Sequence, residues 1–278
     1  MTELVDYRGK RVVVSGCFSG MGEATARILL DLGAEVHGFD YKDCTLPLAS
    51  FTNVDLRDPA SIEAGVAGLS GKIDCLFNCA GLPGGGAFPP IDTMKVNFIG
   101  TRHLTEQVIP LMGDKGSIIS IASTGGLGWS QRIPVHMELM MTQGFQGALD
   151  WCEGHMDQVA EGYAFSKEAI IVWTQFMGAQ LIKKGIRINC SLPSPTQTPM
   201  MASFHEHSGK DVVDAAAEPL GRYTTPEEQA GPLVLINSDA AGVVNGIVLP
   251  VDGGFMGGIV TGQVDLSKMM AAGSKQDA

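Results

Sequence analysis

Tyr163 and Lys167 are the two residues of this sequence whose types and spacing point most directly to chemistry. They are four positions apart, so on a helix both side chains project from the same face. An ammonium near a phenol favours the phenolate, and a phenol poised near neutrality can serve as the general acid or base for an alcohol or its carbonyl. A free tyrosine titrates near pH ~10, so this poise requires about 3 to 4 kcal/mol of differential stabilisation. A single solvated lysine cannot supply all of it.

A glycine-rich turn supplies a second candidate site, for a nucleotide. Ser15-Gly16 is followed by Gly20 and Gly22, and glycines at such a turn let the backbone approach a pyrophosphate at a helix N-terminus. Asp40 lies 24 residues beyond Gly16, near the spacing at which a carboxylate accepts ribose hydroxyls. The plainer interpretations are a tight turn and a solvated acid at a strand end.

Short apolar segments alternate with helical periodicity along the chain, which predicts the elements that position these residues. The pattern predicts right-handed crossovers and one α/β domain over residues 1–278, a doubly wound parallel sheet of about seven strands with helices on both faces. The predicted strands are 12–14, 34–39, 52–54, 73–77, 117–121, 186–191 and 247–251, and the predicted helices are 21–32, 59–69, 94–111, 164–184 and 225–237. Weak periodicity predicts a mobile tail over 257–278.

Charge and cysteine usage exclude several classes of function. The 278 residues include 19 Lys plus Arg and 30 Asp plus Glu, a formal net charge of −11, which disfavours nucleic acid and anionic membranes as partners. Since the sequence has no apolar run long enough for a membrane span and no apolar segment behind its first basic residues, we expect no membrane-spanning helix and no secretion leader. The six cysteines include no CxxC pair, so we expect reduced thiols and a cytoplasmic protein.

Six motifs in order resemble the short-chain dehydrogenase/reductase family, from about residue 9 to residue 255. The chain has Ser where the first family motif has Thr, and Ser194 where Gly is usual. The matching residues are Ser15 to Gly22, Asn78-Cys79-Ala80-Gly81, Asn97, Ser123, Tyr163 with Lys167, and Pro193-Ser194 with Thr198, closed by Val251-Asp252-Gly253-Gly254.

The resemblance implies an oxidoreductase with NAD as its cofactor and assigns roles to individual residues. Tyr163 would be the general acid/base, Ser123 would hold the substrate oxygen, Asn97 would hold a water that relays protons from Lys167, and oxidised nicotinamide would supply further positive charge. Taken singly, Ser123 could equally be a cap and Asn97 an exposed helical residue. The implied cofactor-binding residues are Ser15, Gly16, Ser19, Gly20, Met21, Gly22, Asp40, Asp55, Leu56, Asn78, Ala80, Gly81, Tyr163, Lys167, Pro193, Ser194 and Thr198. No metal is expected, since His205-x-His207 lacks partnering ligands.

The stretch between Ser123 and Tyr163 spans 40 positions, far more than the family usually has. We therefore predict an insertion over about 128–159, a feature that resembles the 3α-hydroxysteroid dehydrogenase/carbonyl reductase and coniferyl-alcohol dehydrogenase subgroup. Its apolar residues recur at helical spacing, and Trp129 and Trp151 lie at its edges. This face could pack on the chain's own core, or it could wall the substrate cleft and alter a subunit contact. The recurring residues are Met137, Met141, Phe145, Ala148, Cys152 and Met156.

Two functional classes follow from the sequence. The first is an NAD(H)-dependent oxidoreductase that interconverts a secondary or benzylic alcohol and its carbonyl, with a bulky ring-bearing substrate such as a hydroxysteroid, terpene or aryl alcohol. The second is a catalytically silent protein of the same fold that senses nucleotides or serves as a scaffold. The resemblance implies a homodimer or homotetramer, and chemistry of the epimerase or dehydratase type would require a larger substrate domain.

Overall fold

The computed structural model describes residues 5–85, 88–160 and 162–265 and places one seven-stranded sheet at the centre of the fold. All neighbouring strands pair in parallel, in the order β3-β2-β1-β4-β5-β6-β7. The predicted fold class is confirmed. The strands are β1 Arg11–Ser15, β2 Glu35–Asp40, β3 Ser50–Asn53, β4 Ile73–Asn78, β5 Met112–Ile121, β6 Arg187–Pro193 and β7 Val248–Val251.

Helices cover both faces of the sheet and bury two apolar cores, as near-continuous apolar strands require. One core lies under the first and eleventh helices and contains Leu29 and Leu233; the other contains Met94, Leu104 and Trp173. A π-helix at Lys95–Gly100 joins the third helix to the fourth. The helices are α1 Gly20–Asp31, α2 Pro59–Ala67, α3 Pro90–Met94, α4 Thr101–Val108, α5 Ile133–Met140, α6 Gly144–Gly154, α7 Met156–Val159, α8 Tyr163–Leu181, α9 Met201–Ser208, α10 Lys210–Ala217, α11 Pro226–Asn237 and α12 Phe255–Val260.

Local sequence signals set the ends of several helices. α11 begins with a capping box, in which Thr225 accepts from the Glu228 backbone and Glu228 accepts from the Thr225 backbone, satisfying amides that the first helical turn leaves open. At α2 a single bond serves this purpose, because the Asp58 carboxylate accepts from the Ala60 backbone nitrogen at 2.9 Å.

The inserted segment forms three helices, and the single apolar face predicted for it is wrong. α5 ends at Met140 and α6 begins at Gly144, whose φ is +63°, so the chain turns between them and the helical period restarts. Phe145, Ala148 and Cys152 are buried, Met137 is partly buried, but Met141 and Met156 are 64% and 41% exposed.

The beginning of the predicted tail lies in a helix, α12. The Asp252 carboxylate accepts from the backbone nitrogens of Gly254 and Met256 at 2.9 and 2.8 Å, which caps α12, and the Phe255 ring is buried. Residues 257–260 therefore belong to a helix, residues 266–278 lie outside the described residues, and the mobility of the tail stays a prediction.

All six cysteines are free. Over residues 5–85, 88–160 and 162–265, no helix combines the length and apolarity needed to cross a bilayer.

Candidate active site

A cleft of about 640 Å³ opens at the carboxyl ends of the strands. In the sheet, β2 and β3 lie on one side of β1 and β4 to β7 lie on the other. The strand order therefore reverses at β1, and in an open parallel sheet ligands bind at such a switch point. The cleft lies there, between the glycine-rich turn after β1 and residues 79–83 after β4.

The glycine-rich turn forms the floor of the cleft at the N-terminus of α1. Gly16 has φ +75° and a Cβ there would lie 2.5 Å from the Ala80 nitrogen, while a Cβ on Gly22 would lie 2.0 Å from the Gly16 carbonyl oxygen. Both positions thus require glycine for the chain's own packing. Ser19, the residue before α1, gives this helix no side-chain cap in the described structure. Gly20, Met21 and Gly22 of the first turn line the cleft, and the N-terminal amides of a helix suit a pyrophosphate.

Asp40 ends β2 at the rim of the cleft. Its carboxylate accepts from the backbone nitrogens of Phe18 and Lys42, both at 3.0 Å, which fixes its orientation beside the glycine-rich turn. The Lys42 ammonium lies 5.2 Å from the Phe18 ring centroid and 5.3 Å from that of Tyr41. Asp55 and Leu56 line the same end of the cleft, where Arg57 pairs with Asp55 at 2.7 Å.

Tyr163, Lys167 and Ser123 meet near the middle of the cleft. Tyr163 is the first residue of α8 and Lys167 lies one turn later, so both side chains share a face, as predicted. Lys167 Nζ is 5.6 Å from the Tyr163 ring centroid and donates to the Ile121 carbonyl at 2.8 Å. Ser123 follows β5, and its Oγ accepts from the Gly125 backbone at 2.9 Å, so the interpretation as a cap also holds.

Burial is the main cause of the pKa shifts of Tyr163 and Lys167. It raises the pKa of Tyr163 to about 12, against a hydrogen bond with Ser123 that acts to lower it. Burial also lowers the pKa of Lys167 to about 8, against the influence of Cys79 and Cys190. Desolvation disfavours the charged form of both groups, so poising the phenol for proton transfer requires added positive charge in the cleft.

Asn97 is fully buried in the π-helix, which excludes the interpretation of an exposed helical residue. Its Oδ1 accepts from the Leu82 nitrogen at 2.7 Å, and its Nδ2 donates to the Leu82 carbonyl and the Ser166 hydroxyl, each at 3.1 Å. These bonds hold the loop after β4 against α8, beside Gly81 and the Lys167 ammonium. The proton relay implied for Asn97 stays a prediction.

Asn78 is the implied cofactor-binding residue that the structure places away from the cleft. Its Nδ2 donates to Thr105 at 2.9 Å and to Ser120 at 3.1 Å, so the side chain ties β4 to α4 and β5. The other implied cofactor-binding residues all line the cleft, including Pro193, Ser194 and Thr198 after β6.

The far end of the cleft is apolar and is formed largely by residues that the sequence analysis missed. The Phe204 ring lies edge-on to that of Tyr163, with 5.1 Å between centroids. The apolar spacing of Met200, Met201 and Phe204 could have indicated a helix here. The lining residues of this end are Leu82, Pro83, Phe88, Leu127, Met200, Met201, Phe204, Val212, Val213, Ala216 and Phe255.

No residue of 128–159 lines the cleft, so the predicted wall of the substrate site is wrong. Phe145, Ala148 and Cys152 pack in the core around α4 and α8, and Met137 packs against it. Met137, Phe145, Ala148 and Cys152 thus point to the protein body, whereas Met141 and Met156 are exposed.

His205 and His207 lie on α9. His205 Nε2 bonds to the Tyr223 hydroxyl at 2.9 Å. In the part of the chain that the structure describes, no three His, Cys, Asp or Glu side chains are arranged for a metal ion.

Comparison with known proteins places this geometry in context. The family model described as short chain dehydrogenase matches residues 10–135, and that described as Enoyl-(Acyl carrier protein) reductase matches residues 152–256. The coniferyl-alcohol dehydrogenase of Pseudomonas sp. strain HR199 is 34% identical over 246 residues, which are 88% of this chain and 96% of that protein. The 3-alpha-hydroxysteroid dehydrogenase/carbonyl reductase of Comamonas testosteroni is 27% identical, over 87% of this chain and 95% of its own.

A solved structure extends the similarity to the fold. The 3-alpha-hydroxysteroid dehydrogenase from Pseudomonas sp. B-0831, complexed with NADH, aligns with a TM-score of 0.77 at 24% identity and covers 92% of this chain and 100% of its own.

Proposed function

Since this chain belongs to the short-chain dehydrogenase/reductase family of oxidoreductases, we propose that it is an NAD(H)-dependent enzyme that interconverts a ring-bearing alcohol and its carbonyl. The convergence of Tyr163, Lys167 and Ser123 on one cleft carries this proposal. A phenol, an ammonium and a hydroxyl at one point can hold an alcohol oxygen and move its proton.

Each of the three side chains has a distinct role in the reaction. Ser123 Oγ holds the substrate oxygen and stabilises the charge that develops on it. Tyr163 Oη accepts the alcohol proton during oxidation and returns it during reduction. Lys167, anchored on the Ile121 carbonyl, places positive charge beside the phenol and favours its phenolate.

The residues at the switch point fit a nicotinamide dinucleotide. The first-turn amides of α1 would hold the pyrophosphate, Asp40 the adenosine ribose, and Pro193, Ser194 and Thr198 the nicotinamide end. When bound, oxidised nicotinamide supplies the hydride acceptor and a positive charge. Asp40 favours NAD(H) because a 2′-phosphate would meet a like charge at this carboxylate.

The substrate class rests on the apolar end of the cleft next to Tyr163. Aromatic and thioether side chains give large, adaptable contact area for a bulky apolar substrate, and Phe204 is placed against the catalytic ring. The names of the coniferyl-alcohol and hydroxysteroid relatives are consistent with ring-bearing substrates. We propose secondary and benzylic alcohols as the substrates. We also propose that the enzyme is cytoplasmic and forms a homo-oligomer.

The catalytically silent alternative is tested by turnover. NADH formation from NAD⁺ over a panel of steroids, terpene alcohols and aryl alcohols, with short aliphatic alcohols as the comparison, should show turnover for at least one ring-bearing alcohol. NADH binding without turnover anywhere in the panel, in either direction, would favour a nucleotide-sensing or scaffolding role.

A further inference from the structure

Glu168, the residue after Lys167 on α8, is the centre of a buried ionic cluster outside the cleft. Its side chain is 2% exposed, and its two carboxylate oxygens accept from Arg132 and from His136 Nε2, each at 2.8 Å. Burial acts to raise the pKa of Glu168, but the hydrogen bonds from His136 and Arg132 hold it below its usual value. The cluster therefore contains a carboxylate whose two partners both come from the inserted segment 128–159.

The turn that begins at Ser123 packs directly on this cluster. A Cβ on Gly126 would lie 3.0 Å from the Glu168 nitrogen, and a Cβ on Gly128 would lie 2.6 Å from Glu168 Oε1. The 3₁₀ turn Thr124–Gln131, which Ser123 caps, thus has no room to shift towards α8. Glu168 lies where the Ser123 turn, α5 and the helix of Tyr163 and Lys167 meet.

Ring packing reinforces the same junction. The His136 ring lies 4.5 Å from the Phe165 ring at an interplanar angle of 32°, and the Arg132 guanidinium lies 5.3 Å from the Phe165 centroid. Phe165 is on α8 between Tyr163 and Lys167 and is fully buried. The fully buried His136 has no hydrogen-bond partner for its Nδ1 among the described residues, so its ring is held by Glu168 and by packing on Phe165.

We propose that Glu168 is a positioning residue which, through Arg132 and His136, sets Ser123 against Tyr163 and Lys167. The inserted segment then serves catalysis by bracing α8 and the Ser123 turn. This inference rests on the proposed function, since it concerns the geometry in which that reaction occurs.

The direct test is Glu168→Gln, which keeps the shape of the side chain and removes its charge. We expect kcat for the best panel alcohol to fall at least tenfold, because small displacements of reacting groups cost large factors in rate. The NADH dissociation constant should stay within about twofold, since Glu168 does not line the cleft. The primary deuterium isotope effect on kcat should rise as hydride transfer becomes rate-limiting.

Arg102→Gln is the matched control. Arg102 is also buried and anchors the same segment from α4, by donating to the carbonyls of Leu139 at 3.2 Å and Thr142 at 2.6 Å. Its loss should lower the unfolding temperature by an amount similar to that of Glu168→Gln but leave more than half of the wild-type kcat. A purely structural role for Glu168 would make the two variants lose activity together.

Arg132→Gln keeps the test available if Glu168→Gln does not fold, because the Arg132 side chain is 28% exposed and His136 still bonds to the carboxylate. It should lower kcat at least threefold with NADH affinity unchanged. The inference is overturned if kcat falls less than tenfold in Glu168→Gln or less than threefold in Arg132→Gln. It is also overturned if the isotope effect of Glu168→Gln is unchanged, or if Arg102→Gln loses as much kcat as Glu168→Gln. Absence of wild-type turnover instead overturns the proposed function.

Discussion

At the scale of single residues, burial disfavours the charged forms of Tyr163 and Lys167 that the proposed reaction needs. The pKa of Tyr163 is raised to about 12 and that of Lys167 is lowered to about 8, both chiefly by burial. Burial thus favours the neutral phenol, and the proposed reaction needs further positive charge in the cleft. Placing a lysine in this position has a cost in stability that serves function.

Lys167→Met should therefore stabilise the folded chain at pH 7. With a pKa near 8 in the folded state and near 10.4 in the unfolded state, the ammonium destabilises the wild type by about 3 kcal/mol at low pH. Between about pH 8 and 10.5 the unfolded state holds a proton that the folded state has released, so the wild type gains stability as pH rises. In denaturant unfolding, the excess of the variant's free energy of unfolding over that of the wild type should fall by roughly half between pH 7 and pH 9.5. An advantage independent of pH would contradict the buried, charged state of Lys167.

Asp40 should decide the choice of cofactor. We expect kcat/KM with NAD⁺ to exceed that with NADP⁺ at least tenfold. Asp40→Asn, which removes the charge and keeps an oxygen acceptor for one of the Phe18 and Lys42 nitrogens, should narrow the ratio at least fivefold. Lys42→Ala is the control and should leave NAD⁺ preferred. A wild type that prefers NADP⁺ would refute this role of Asp40.

At the scale of elements, the cleft has walls of different origin. β1, β4 and β6 present their carboxyl ends to it, α8 carries Tyr163 and Lys167, and α9 and α10 contribute to the apolar end. α5 and α6 pack on the outside of α4 and α8. We therefore expect the side chains of residues 200–216 to discriminate between substrates, while the inserted helices stabilise the positions of α4 and α8.

Phe204→Ala should raise KM for a bulky ring-bearing alcohol at least fivefold, about 1 kcal/mol of lost apolar contact, and should change KM for a short alcohol much less. Met141→Ala, at an exposed position outside the cleft, should change neither value. Steady-state kinetics with both substrates measures the difference. Equal changes for both substrates in Phe204→Ala would mean that α9 only supports the fold.

At the scale of the whole molecule, the sheet and the cofactor end of the cleft could be predicted because they depend on local signals. Short apolar runs such as 117–121 predict strands. The glycine-rich turn predicts the junction of β1 and α1, and the spacing of Tyr163 and Lys167 predicts that both lie on one face of a helix. The break between α5 and α6 and the packing of Phe145 depend on tertiary contacts, and the spacing of apolar residues along the sequence does not reveal such contacts. Asn78 shows the same limit, because its partners Thr105 and Ser120 are distant in sequence.

The resemblance to family oligomers leads us to expect a homodimer or homotetramer. With a formal net charge of −11 per chain, association must rely on apolar contact against mutual repulsion, so added salt should not dissociate it. Sedimentation velocity at micromolar concentration and two salt levels measures this. A single-chain mass under both conditions would contradict the expectation.

Tyr163→Phe, followed through single-turnover NADH formation and NADH binding, tests the role of the catalytic cluster most directly. The ring and its contact with Phe204 remain, and only the hydroxyl that transfers the proton is lost. We expect the rate to fall below a tenth of the wild-type value while the NADH dissociation constant stays within about twofold. Retention of more than a tenth of the rate, a change in barrier smaller than ~1.4 kcal/mol, would show that Tyr163 is not the general acid/base.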